Sequence, residues 1–243
     1  MRLVLAHTRA SVLELVRYPS FSVPTLAFPA LFFLLFVSFR ADEQEAGRFV
    51  ASFAGFGVLG VALFHFGVGI AVERTSPWER YLRTLPLPPW SRFASRTLIA
   101  VALALPASGA VCVLAALTTP VRLEALEWVA LAGSLLAGAV PLALLGIALG
   151  YWLTPRGALP LANALFLLLS YGGGLWAPPH DLPRAVEVVS PLLPTRQFGE
   201  LLWAAVEGRA PPLGSLIGLA AYSVLFAAVG LAGYRRDEGA RFT

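Results

Sequence analysis

Six long apolar runs without an internal charge constrain this chain more than any other feature. They cover residues 21–39, 49–72, 97–117, 128–153, 158–176 and 213–234, and none has an Asp, Glu, Lys or Arg in its interior. Each reaches the roughly 17–25 residues that a helix needs to cross the hydrocarbon of a bilayer. Only 13% of the 243 residues are charged, against about a quarter in soluble domains. The expectation is a single all-α integral membrane domain over residues 1–243 with six transmembrane helices.

Charge placement orients those helices. The sequence has no Lys, so its cations are all Arg, and the formal net charge is +4. In so apolar a chain that excess points to anionic lipid headgroups rather than nucleic acid. The N-terminus, residues 73–96, the Pro155–Arg156 turn and the C-terminal tail together hold twelve Arg and five acids. The connections on the other side hold six Arg and nine acids. The positive-inside rule places both termini in the cytoplasm of a multi-pass inner (plasma) membrane protein, and an even number of spans agrees.

The connections carry their own signals. Residues 1–20 gather Arg2, His7, Arg9, Glu14 and Arg17 on one side of a helical wheel and Val4, Leu5, Val12, Leu15 and Val16 on the other. That pattern predicts an amphipathic helix in the inner interface, the alternative being a simple polar entry to the first span. Residues 76–85 read as a short cytoplasmic helix. Ser76, Pro77 and Glu79 supply N-cap, N1 and capping-box residues, and Leu85 precedes Pro86. Trp78, Tyr81, Leu82 and Leu85 form one apolar stripe, with Glu79, Arg80 and Arg83 elsewhere on the surface. The stripe suits docking onto a protein, where aromatics and Arg anchor interfaces; it also suits lying on headgroups. Residues 177–210 are rich in Pro yet keep apolar faces at Leu182, Val186, Val189, Phe198, Leu201 and Leu202. Two short helices at the outer interface are expected there, as a re-entrant hairpin between the fifth and sixth spans; the alternative is an ordinary surface loop, which the apolar content disfavours. Gly172, Gly173 and Gly174 end or bend the fifth span before it.

Within the spans His65 is the only imidazole. It suits either a neutral His bonded to a helix neighbour or a substrate contact. Small residues are spaced for close helix approach at Gly146 and Gly150, at Gly214 and Gly218, and at Ala130, Ser134 and Gly138, which indicates packing. Cys112 lies within an apolar run and reads as a packing residue. Without Lys there is no standard P-loop, and neither GxSxG nor HExxH occurs. His7, His65 and His180 lie on three separate segments, so a metal site built from them is not expected. The chain is therefore not expected to be an enzyme or to bind a cofactor, and any energy source must lie elsewhere.

Three stretches, in order, carry a resemblance. One is Arg17, Pro19 and the FPALFFLL segment at the start of the first span. The next runs from Glu73 through Arg74, Thr75, Glu79 and Leu82 to Pro86, with Ser76-Pro77-Trp78 in place of a more usual Gly. The last is ANALFLLLSYGGGLW followed by LPRAVEVVSPLLPTRQFGELL. In these the chain resembles the permease subunits of type-2 ABC exporters of the drug, lipid and polysaccharide class.

The resemblance implies two six-span permease copies, or a permease and its homologue, above two copies of a separate ABC ATPase that carries the ATP and Mg. It also implies that residues 76–85 are the coupling helix. The docking set is then Glu73, Ser76, Pro77, Trp78, Glu79, Arg80, Tyr81, Leu82, Arg83 and Leu85. An ion-coupled carrier would need buried acids or two repeated halves with broken helices, and an intramembrane hydrolase would need a Ser/His or Glu/His pair at one depth. The charge-free, aromatic spans favour an apolar or amphipathic cargo, with Phe53, Phe56, His65, Asn163, Ser170 and Tyr171 as candidates for its path.

Overall fold

The computed structural model describes residues 28–35, 43–77 and 89–239, and every regular element among them is helical. The first, α1, covers residues 28–35. The second, α2, is continuous but changes winding. Its Glu43–Gly60 and Gly69–Glu73 parts are α-helical, and Val61–Val68 between them is π-helical. Then come α3 (Pro89–Thr118), α4 (Ala125–Trp152) and α5 (Pro155–Gly172). Two short helices, α6 (Arg184–Val189) and α7 (Pro194–Val206), precede α8 (Leu213–Gly239).

Among the described residues, four helical segments are long and apolar enough to cross a membrane: Glu45–Glu73, Arg96–Thr118, Ala125–Trp152 and Leu213–Asp237. They match the second, third, fourth and sixth apolar runs. The 18 residues of α5 span about 27 Å, and that helix contains Arg156 and Asn163. The run expected over 158–176 thus becomes a helix that starts three residues earlier and stops at Gly172. Gly174 takes φ +77°, a left-handed conformation that glycine adopts without strain, and this turns the chain away from the helix axis. Most of the first run, the 1–20 helix and residues 78–88 lie outside the described residues.

The helix starts follow local chemistry. At α4, Glu124 and Glu127 form a reciprocal capping box, with the Glu124 amide donating to Glu127 Oε2 at 2.8 Å. At α5, Thr154 Oγ1 accepts from the Gly157 amide at 3.2 Å, and Pro155 occupies the first turn, where no N–H is needed.

Helix α4 is the packing centre and touches α2, α3, α7 and α8. The spacing of its small residues now has a partner. A Cβ at Gly146 would overlap the Ala62 carbonyl oxygen in the π stretch, and one at Gly150 would sit 2.6 Å from Ile70 Cβ. The first GxxxG pair is therefore where α4 meets α2 backbone to backbone within one chain. The second pair divides: Gly214 faces open space, whereas Gly218 receives the Gln197 side chain from α7. Of the apolar window of α2, 72% is buried; for α8 the share is 17%. Helix α2 thus belongs to the core, while α8 lines the outside of the bundle with Ile217, Val224 and Leu225 exposed.

The expected hairpin contains helices. Two 3-10 turns, Pro179–Asp181 and Ser190–Leu192, flank α6. Helix α7 is inserted against α2, α4 and α8. Phe198 on α7 is fully buried, and its ring lies where a Cβ at Gly138 of α4 would be and 3.2 Å from that of Gly55 on α2. Hydroxyls tie the segment down: Ser190 Oγ donates to the Gly172 carbonyl at 2.5 Å and Thr195 Oγ1 to that of Leu169 at 2.7 Å. Tyr222 on α8 donates to the Leu192 carbonyl.

Candidate functional site

One end of the bundle gathers the exit of α2, the C-terminus of α4 and the last turn of α8. Arg74, the first residue after α2, holds them together. Its Nη1 donates to the Tyr151 carbonyl and to Asp237 Oδ1, both at 3.0 Å, and its Nη2 donates to the Leu153 carbonyl at 2.6 Å. Both side chains of the ion pair are largely withdrawn from solvent, 14% exposed for Arg74 and 10% for Asp237. The carbonyls at the end of α4 lack intrahelical partners and carry the negative end of its dipole. The last turn of α4 has no basic residue of its own, so Arg74 supplies the missing cation from another helix.

The same end includes α3. Arg96 Nη2 lies 3.5 Å from Glu73 Oε2, and its guanidinium stands 5.8 Å from the Tyr151 ring centroid. Trp152 Nε1 donates to the Val229 carbonyl at 3.0 Å while Arg236 covers the Trp152 ring at 5.1 Å. The two described ends of the 73–96 connection, the turn before α5 and the last described turn of α8 therefore meet at one end of the bundle.

Of the docking set, Glu73, Ser76 and Pro77 are described. Glu73 is exposed, and the Ser76 amide donates to the Glu73 carbonyl at 2.8 Å, closing a turn directly after α2. Trp78, Glu79, Arg80, Tyr81, Leu82, Arg83 and Leu85, with the capping box assigned to Ser76 and Glu79, lie outside the described residues.

The cargo-path candidates separate by burial into three groups. Phe53 and Phe56 are buried in an aromatic core that joins α1, α2 and α5. The Phe56 ring is 4.4 Å from that of Phe166 and 5.7 Å from that of Trp176. Ser170 is fully buried and donates to the Phe166 carbonyl at 2.5 Å. Asn163 and Tyr171 are exposed on α5. His65 is half-buried in the π stretch, edge-on to Phe66 with ring centroids 4.9 Å apart. A π-helical segment repositions side chains relative to an α-helix and is frequent at functional sites.

At the opposite end, a cavity of about 250 Å3 lies between the start of α2 and the segment after α5, walled by Phe49, Trp176 and Trp203 with Glu45, Arg48 and Ser52 among its polar groups. Trp203 Nε1 donates to Ser52 Oγ at 2.8 Å across it. Arg48 pairs with Glu207, which also pairs with Arg209. Arg74 with Asp237, and Ser52 with Trp203, are pairs that reading the sequence did not find. Their members stand 163 and 151 positions apart, and no local spacing links them.

Helices long and apolar enough to cross a bilayer, joined at one end by a polar clamp, define a multi-pass membrane protein. Residues 18–232 match the family described as ABC-2 family transporter protein, and the chain belongs to that family as a type-2 ABC permease subunit. A protein of Bacillus subtilis (strain 168) that bears the name of a transport permease, YvfS, is 26% identical over 222 residues, covering 89% of this chain and 91% of that protein. No solved structure matches the chain significantly. Membership implies partnership with an ABC ATPase subunit.

Proposed function

We propose that this permease exports an apolar or amphipathic substrate by alternating access, driven by ATP hydrolysis on two ATPase subunits beneath two permease copies. In this reading each permease has six spans, both termini are cytoplasmic, and residues 177–210 form a re-entrant hairpin on the outer side. The ATPase grips residues 76–85, with Trp78 and Tyr81 as anchors and Glu79, Arg80 and Arg83 as polar contacts. The observation that carries the reading is the Arg74 clamp. The segment assigned to docking begins at Ser76, two residues from a guanidinium bonded to the ends of α4 and α8. A push on that segment is thereby delivered to helices rather than absorbed by a loose loop.

Docking is tested by co-purifying the ATPase with Trp78→Ala/Tyr81→Ala permease. Buried aromatic anchors contribute about 2 kcal/mol each, so the double variant should bind the ATPase about a thousandfold more weakly. The variant should still insert and run as a single species in detergent. Unchanged ATPase recovery would remove the docking role from this segment.

A further inference from the structure

We infer that Arg74 and Asp237 are positioning residues for energy coupling: together they bind the C-terminal end of α8 to the segment that meets the ATPase, so that α2, α4 and α8 move as one body. The inference rests on the docking proposed above, but concerns the link rather than the grip.

Three observations point to it. The guanidinium reaches acceptors on two other helices at once, with Tyr151 and Leu153 on one side and Asp237 on the other. A planar fork of donors can hold such a set rigidly, whereas an ammonium on a flexible stem cannot. Asp237 stands in the last described turn of α8. An acid near the C-terminal end of a helix opposes its dipole, and this one stands 3.0 Å from the guanidinium that follows α2. Beyond the clamp, α8 reaches the far end of the bundle, where Tyr222 holds the Leu192 carbonyl and Ser215 Oγ donates to Glu200 Oε2 at 2.6 Å. A displacement at Ser76 thus has a continuous path along α8 to the 177–210 segment.

The test uses the permease–ATPase complex in nanodiscs, in a Cys112→Ala background. A bimane probe is placed at Val188→Cys, a position that is 72% exposed on α6. Two quantities are measured: ATPase recovered with the permease, and the fluorescence change on adding ATP and vanadate. Arg74→Lys and Asp237→Ala should keep ATPase recovery within roughly twofold of the parent and lose about tenfold of the fluorescence change. Asp237→Glu, which retains the carboxylate, should recover most of it. A full response from Arg74→Lys and Asp237→Ala would overturn the inference. Loss of ATPase recovery would overturn it too, because the pair would then belong to the docking surface or the fold. A parent complex that binds ATPase without any fluorescence change would likewise show that α8 conveys no motion to the far end. Failure of the docking proposal is read separately, from Trp78→Ala/Tyr81→Ala.

Discussion

Gly146→Val is expected to reduce the monodisperse yield of this permease about tenfold or more in fluorescence-detected gel filtration. Inserting bulk into a packed interior usually costs about 1–3 kcal/mol, because side chains can shift rotamers to make room. At Gly146 that relief is missing. The group in the way is the Ala62 carbonyl oxygen, with the carbonyl carbon behind it, and backbone moves only if α2 and α4 separate. Separation would also open the Gly150–Ile70 contact next along the same seam. In lipid the helices are held together by close packing rather than by exclusion of water, so little else would draw them back. Gly133→Val is the control, since a Cβ at Gly133 meets nothing within 4 Å. Equal yields of the two variants would refute the close crossing.

Phe198→Ala carries the second large effect. The ring fills a slot between Gly55 and Gly138 and is fully buried. Its removal leaves a cavity lined by α2, α4 and α7 and should lower stability by about 3 kcal/mol, measured as a fall in the midpoint of thermal aggregation in detergent. Gly138→Ala should be costly for the complementary reason, because its methyl would overlap the Phe198 ring. The two variants are neighbours and should couple. Phe198→Ala/Gly138→Ala is therefore expected to be less destabilised than the sum of the single variants, since the added methyl occupies part of the vacated slot. Strict additivity would mean that the ring does not sit against Gly138.

Both predictions show how far sequence reasoning reached. The intervals between small residues in 130–150 marked a face able to approach another helix, and both Gly146 and Gly138 proved to be contact points. The spacing did not say what would arrive there. At Gly146 it is a π-helical backbone and at Gly138 a Phe ring from the segment after α5. Gly214 shows the converse, since it has the same spacing from Gly218 and nothing near it. A small residue permits close approach, but the partner is chosen by a surface elsewhere in the chain. The candidate site divides in the same way. Ser76 was singled out from capping signals local to one loop, and Glu73 from the resemblance. Asp237 was not, because an acid in a terminal helical turn looks like surface charge until a cation on another helix is seen beside it.

By itself the sequence determined that this chain is built from helices apolar enough to cross a membrane and where most of them run. Those outcomes depend on local hydropathy, which can be read residue by residue. Tertiary structure alone decided the π winding at Val61–Val68, the seating of Phe198 between two glycines, and the clamp of Arg74 on the ends of α4 and α8. The last two join groups more than 50 positions apart in a packed interior, where a carbonyl or a carboxylate acquires its role from what faces it.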